Sequence, residues 1–209
     1  ERLCAAEQKT GQTRGVLKII LSPVGQGRGY QRAQPLSINR YLVYHAWPTS
    51  PLYQAETPVK VQLCNIRLAC QPFLAGIKHL NRLEQILART ELADSVQEGI
   101  MLDQQGHVVE GTMSNLLLRK GTHYLTPEII DCGVAGVVRQ AMLKMAQQQD
   151  IPLTVRKISV EELVQADQLL MMNSLLGIRP VTHYAEHRFT DCVLSTWLQV
   201  VHTHCLTPG

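Results

Sequence analysis

The 209-residue chain reads as an α+β protein, or an α/β protein with mixed sheets. Three observations point there. Short runs of branched aliphatic residues recur along the chain, and Val59-Lys60-Val61-Gln62-Leu63 alternates strictly, as a half-buried strand does. The segment from Leu80 to Leu92 instead places Leu80, Leu83, Ile86 and Leu87 on one helical face. Glycine pairs such as Gln105-Gly106 and Lys120-Gly121 separate strand-like runs, where tight turns belong.

Taken in order, residues 1–10 read as helix, broken by Gly11. Residues 15–22 form a buried strand on the strength of Val16, Leu17, Ile19, Ile20 and Leu21. The glycine-rich turn Gly25-Gln26-Gly27-Arg28-Gly29-Tyr30 leads to a return strand over 38–47. Pro48, Pro51 and Pro58 mark a linker, which divides the chain into 1–47, 48–58 and 59–209. Strands are expected at 59–63, 98–103, 108–109, 116–118 and 124–125. Gly133-Val134-Ala135-Gly136 opens a helix over 137–149, followed by a strand over 153–158. Ser159-Val160-Glu161-Glu162 is a capping box. An apolar strand over 168–172 and a closing helix over 190–202 complete the reading.

Composition narrows the function. With 45% hydrophobic and 18% charged residues the chain is an ordinary globular sequence. The net charge of +3 is scattered and aromatics make up 5%, which argues against a nucleic-acid partner. No apolar run approaches the roughly 18 residues of a membrane span, and residues 1–8 lack the hydrophobic core of a signal peptide. The first residues lack an initiator methionine and read as mid-helix sequence, so a missing beginning is expected. The six cysteines show no CxxC spacing, which fits free, buried thiols in a reducing cytoplasm. His202 and His204 in a polar tail lack a third ligand, so no metal is expected.

Four features carry chemistry. Lys78 lies in apolar sequence, where burial would favour the neutral amine that condenses with an aldehyde. By itself it is also compatible with an ordinary solvated lysine. Glu110 follows Val108-Val109, and a carboxylate there wants a partner such as a protonated pyridine nitrogen; a surface hairpin is the plainer alternative. Gly136-Val137-Val138 opens a helix whose free N–H groups suit a phosphate, or it is simply a loop. Asn173-Ser174 ends an apolar strand and offers a hydroxyl and an amide, or another plain loop. An aldehyde-binding lysine, a carboxylate for a ring nitrogen and two anion sites together describe pyridoxal 5'-phosphate.

The order Lys78, Glu110, Val137-Val138, Ser174 resembles the fold-type-IV family of pyridoxal-phosphate enzymes, which includes branched-chain and D-amino-acid aminotransferases and 4-amino-4-deoxychorismate lyases. Gly76-Ile77-Lys78-His79-Leu80-Asn81-Arg82-Leu83-Glu84-Gln85 is similar to the lyases' signature around the Schiff-base lysine. Gly27-Arg28-Gly29-Tyr30, Glu7-Gln8 and Gly15-Val16-Leu17-Lys18 match the bacterial lyases as well. The resemblance implies a two-domain α+β fold with an incomplete small N-terminal domain and a large cofactor-binding domain. It implies that Lys78 holds the cofactor and acts as general base, and that Glu110 meets the pyridine nitrogen. Val137, Val138, Asn173 and Ser174 would hold the phosphate, and Val134 would pack on the ring. Arg28 and Tyr30 would bind the substrate carboxylate across a homodimer interface. The implied reaction is the cytoplasmic conversion of 4-amino-4-deoxychorismate, the small-molecule substrate, to 4-aminobenzoate and pyruvate in folate biosynthesis. An aminotransferase, or an inactive truncated homologue serving as a binding module, are the alternatives. Pro23-Val24 departs from the family's residues ahead of the Arg28 loop, and about 60 residues of the small domain are expected to be missing.

Overall fold

The runs Leu116-Leu117-Leu118 and Leu169-Leu170-Met171-Met172 decide the layout. Every side chain in them is buried, although successive strand residues point to opposite faces, so the sheet that holds them is covered on both sides. The computed structural model describes residues 15–24, 29, 31, 34–53 and 59–206. The helix expected over 1–10 and most of the 25–30 turn, Arg28 and Tyr30 among them, lie outside the described residues. The chain divides into two compact units, Glu1–Ser50 and Pro51–Gly209.

In the first unit β1 (Gly15–Pro23) pairs antiparallel with β2 (Ile38–Ala46), in register from Gly15↔Ala46 to Pro23↔Ile38. The expected strands form, but β1 is not buried: Ile19 and Leu21 are largely exposed. A two-stranded ribbon has no second layer of its own to cover a face.

The second unit is built on nine strands: β3 (Val59–Arg67), β4 (Glu98–Leu102), β5 (Val108–Gly111), β6 (Asn115–Lys120), β7 (His123–Pro127), β8 (Leu153–Arg156), β9 (Gln168–Asn173), β10 (Gly177–Tyr184) and β11 (His187–Arg188). They run β5-β4-β3-β10-β9-β6-β7-β8, with β11 beside β10. Two pairs are joined by helical crossovers, as parallel neighbours require. α1 (Leu83–Thr90) links β3 to β4, and α2 (Val137–Gln148) links β7 to β8. On one face Leu117, Leu170 and Ile178 pack under Val138 and Met142 of α2 and Leu198 of α4 (Thr196–Leu206). On the other, Leu116, Leu118, Leu169 and Met171 meet Ile158 and Leu163, the latter from α3 (Val160–Gln165). At the start of α3, Ser159 N–H donates to Glu162 Oε2 at 3.0 Å, one half of the expected capping box.

Several expectations need correction. β10 is absent from the sequence reading because Pro180 argues against a central strand. The structure accommodates it by a change of partner: Gly177–Pro180 pair with β9, whereas Val181–Tyr184 pair with β3. The closing helix begins at Thr196, not Thr190. Residues before it are held in a turn, with Asp191 accepting from Val193 N–H and ion-paired to Arg119, and Val193 C=O bonded to Gln168. His202 and His204 therefore sit on a helix, not in a tail, and His202 Nδ1 lies 3.0 Å from Ile178 N–H. The strand expected over 153–158 ends at Arg156, which turns to pair with Glu162.

α1 departs most. It starts at Leu83 rather than Leu80, and its apolar stripe faces outward: Leu80 is 67% exposed and Leu83 66%. The inward face carries Gln85 and the small Ala88, packed on Cys64, Leu68 and Met101. Polar clamps complete the contact, with Glu91 accepting from the N–H groups of Asn65 and Ile66. The thiols are also not uniformly buried. Cys64 and Cys132 are, Cys192 and Cys205 are half-buried, and Cys70 is exposed.

Candidate active site

Four segments of the second unit converge on a cavity of about 300 Å³: the loop before α1, the β5–β6 turn, the N-terminus of α2 and the end of β9. Pairing brings two of them together, since Asn115 at the start of β6 lies opposite Met172 near the end of β9.

Glu110, on β5, is buried and accepts a hydrogen bond from Val134 N–H at 2.8 Å. Burial pushes its carboxyl up to about 7. The Val134 N–H and the charges of Arg82 and Lys78 pull the other way, and nearby Glu98 adds to the rise. Desolvation wins, so this carboxylate lacks full compensation for its charge.

Glu98, on β4, is fully buried and shapes the adjoining wall. Its oxygens accept from the N–H groups of Gly99 (2.9 Å), Thr112 (3.0 Å) and Met113 (3.3 Å), and from the hydroxyls of Ser114 (2.9 Å) and Thr112. These bonds fold residues 111–114 into the turn that lines the cavity. Arg89 stands 3.8 Å away. Sequence reasoning passed over Glu98; its signal was a carboxylate beside the apolar Ile100-Met101-Leu102.

Asn115 carries no signal of its role in the sequence. Its side chain donates to Val134 C=O at 2.8 Å and accepts from Gly136 N–H at 3.1 Å, which sets the entry to α2. A side chain at Gly136 would put Cβ 2.2 Å from Asn115 Oδ1 and so would have to displace this amide from its two bonds. Gln140 N–H makes the first helical bond, to Gly136 C=O. The amides of Val137, Val138 and Arg139 precede the first helical bond and have no partner within the helix, and Val137 and Val138 line the cavity. Val137 is exposed and Val138 is buried.

Lys78 lines the cavity, on a loop stitched to the α2 entry. Gly76 N–H donates to Gly133 C=O at 2.9 Å, and Ala135 N–H to Gly76 C=O at 3.1 Å. The expected burial of Lys78 is corrected, because the residue is exposed. Its apolar neighbours project outward with it, Phe73 being 91% exposed, so they give no shelter. Val134 and Ser174 also line the cavity. Asn173 does too, but its amide is engaged locally: Oδ1 accepts from Leu175 and Leu176 N–H, and Nδ2 donates to Met113 C=O. Lys78, Glu110, Val134, Val137, Val138, Asn173 and Ser174 are thus brought to one cavity.

The amino-transferase class IV family pattern matches residues 2–184. Aminodeoxychorismate lyase of Vibrio harveyi is 36% identical over 167 residues, 79% of this chain and 62% of that protein. A protein of Thermotoga maritima described as "Probable branched-chain-amino-acid aminotransferase" is 34% identical over 141 residues, 65% of this chain and 50% of its own length. The chain therefore spans roughly half to three-fifths of these two relatives. The crystal structure of 4-amino-4-deoxychorismate lyase from Pseudomonas aeruginosa matches with a TM-score of 0.84 at 39% identity, covering 98% of this chain and 74% of that one. The chain belongs to the amino-transferase class IV family, whose fold is that of the fold-type-IV pyridoxal-phosphate enzymes.

Proposed function

We propose that this chain acts as a pyridoxal-phosphate-dependent lyase that converts 4-amino-4-deoxychorismate to 4-aminobenzoate and pyruvate. The observation that carries the proposal is a lysine, a buried carboxylate and a helix N-terminus on one cavity, in a chain similar to two such lyases. The donor set fits the cofactor. Glu110, raised to about 7 by burial, is stabilised by a cation such as a protonated pyridine nitrogen. The amides of Val137 and Val138 at the positive end of α2, with the exposed Ser174 hydroxyl, suit a phosphate. A volume of about 300 Å³ lies at the low end of small-ligand pockets.

When bound, pyridoxal phosphate supplies an aldehyde for the substrate amine and a ring that accepts an electron pair. Lys78 Nζ would hold that aldehyde and, when free, would serve as the base that takes the proton from the substrate carbon bearing the nitrogen. Glu110 would keep the ring nitrogen protonated, and Val134, which also lines the cavity, would face the ring. Asn173 orients the 173–176 turn through its side-chain bonds. Arg28 and Tyr30 of a second copy would bind the substrate carboxylate across the homodimer interface, a task for which the planar guanidinium fork is suited. The enolpyruvyl group would leave with the electron pair of the C–O bond and take up a proton to become pyruvate, and the aromatic ring left behind would drive the reaction forward.

A homodimer is part of this reading. Phe73, Ile77, Leu80, Leu83, Ile86 and Leu87 expose a run of apolar surface beside the lysine loop, and a second copy is the occupant we infer. The cytoplasm is the proposed location, where the described cysteines stay reduced.

The test is pyruvate release by the purified chain loaded with pyridoxal phosphate, without any keto-acid acceptor. The lyase releases pyruvate under these conditions, and absence of release refutes it. Similarity to the Thermotoga maritima protein favours aminotransfer as the second reading, which requires the acceptor.

A further inference from the structure

Arg82 is the N-cap residue of α1, where Ser, Thr, Asp or Asn usually accepts the first free N–H groups of a helix. No side chain caps α1. The guanidinium turns back instead. Its Nε donates to His79 C=O at 2.9 Å, and a terminal nitrogen donates to Ile77 C=O at 3.2 Å. These carbonyls belong to the residues on either side of Lys78. Arg82 also lines the cavity with Lys78 and Glu110, and its charge acts on Glu110 more strongly than that of Lys78. A local rule of helix capping is broken here, at the site, in favour of contacts around the lysine.

We propose that Arg82 is a positioning residue, which pins Lys78 by both neighbouring carbonyls and fixes a positive charge beside Glu110. The assignment rests on the reading of Lys78 and Glu110 given under Proposed function. A lysine stem has four rotatable bonds, so its amine is directed only if the backbone beneath it is held. The arginine fork can hold two carbonyls at once, which an ammonium on a flexible stem does poorly. Around Glu110 stand Arg82 and Lys78 from the loop, Glu98 from β4, Arg139 from α2 and the Cys132 thiol ahead of it. Without Arg82, burial and Glu98 are opposed by the two remaining cations and the Val134 N–H.

The experiment compares Arg82→Lys and Arg82→Met with the wild-type chain. Two readouts need no turnover: the ¹³C NMR titration of the Glu110 carboxyl in the cofactor-free chain, assigned with Glu110→Gln, and the rate at which added pyridoxal phosphate is trapped on Lys78 by borohydride. The Met variant should raise the Glu110 midpoint by about one pH unit, and the Lys variant should move it by less than half as much. Both should slow trapping about tenfold, because neither spans the two carbonyls. In the loaded enzyme both should lower kcat about tenfold with KM within about twofold, as loss of positioning predicts. An unchanged midpoint in the Met variant overturns the charge role, and wild-type trapping in the Lys variant overturns the pinning role. If the Met variant fails to fold, slowed trapping in a Lys variant with an unaltered thermal transition still supports pinning. If the wild-type chain traps nothing on Lys78, the cofactor reading fails, and the Glu110 titration still decides the charge role separately.

Discussion

Replacing Glu110 with glutamine isolates the electrostatic cost of the site. Burial raises this carboxyl from its ordinary 4.5 to about 7, which corresponds to about 3 kcal/mol. The folded chain then binds more protons at Glu110 than the unfolded chain does between those two values. Stability from this group is therefore lost as pH rises from 4.5 to 7, and the penalty is complete above 7. Glutamine never ionises, and its amide oxygen can still accept from Val134 N–H. Urea unfolding of both chains without cofactor, from pH 4.5 to 8, reads the effect. Glu162, held low by the Arg156 guanidinium, contributes with the opposite sign but cancels in the difference. The advantage of Glu110→Gln should grow by about 3 kcal/mol across the window, a shift of about 1–2 M in urea midpoint. A difference that stays flat, or shrinks as pH rises, would show that the Glu110 carboxylate carries no burial penalty.

Two further outcomes follow from packing. Leu170 is fully buried between β6 and β10, so Leu170→Ala should cost about 2–5 kcal/mol, read as a lowered midpoint in the same urea experiment. Burial pushes the Cys64 thiol up to about 11 and Cys132 up to about 12, whereas Cys70 is exposed. Iodoacetamide should modify Cys70 first and spare Cys64 and Cys132 until the chain is unfolded, as peptide mass mapping would reveal.

Much of the sheet was legible because its signals are local. Val59–Leu63 alternates, the Leu116 and Leu169 runs are apolar throughout, and Gly106 and Gly121 take the positive φ values their turns demand. What escaped depends on partners distant in sequence. β10 was hidden because Pro180 is tolerated only where the strand exchanges β9 for β3. The start of α4 was misplaced because Asp191 is claimed by Arg119 and Val193. The outward stripe of α1 has helical periodicity, and periodicity alone does not say which face meets a core. At the site, Lys78, Glu110 and Val137-Val138 do line one cavity, as their order along the chain suggested, although the burial expected of Lys78 does not hold. Their supports were not legible: Glu98 reaches forward to the Thr112–Ser114 turn, and Asn115 acts through Val134 and Gly136. Such roles exist only once the turns have closed.

The account depends on the Lys78 amine reaching an aldehyde held between Glu110 and the start of α2. Borohydride reduction of the chain with pyridoxal phosphate, followed by peptide mass mapping, measures that directly. A phosphopyridoxyl group on the peptide containing Lys78, lost in Lys78→Ala, is the expected result. Labelling spread over other lysines, or unchanged in Lys78→Ala, would contradict it.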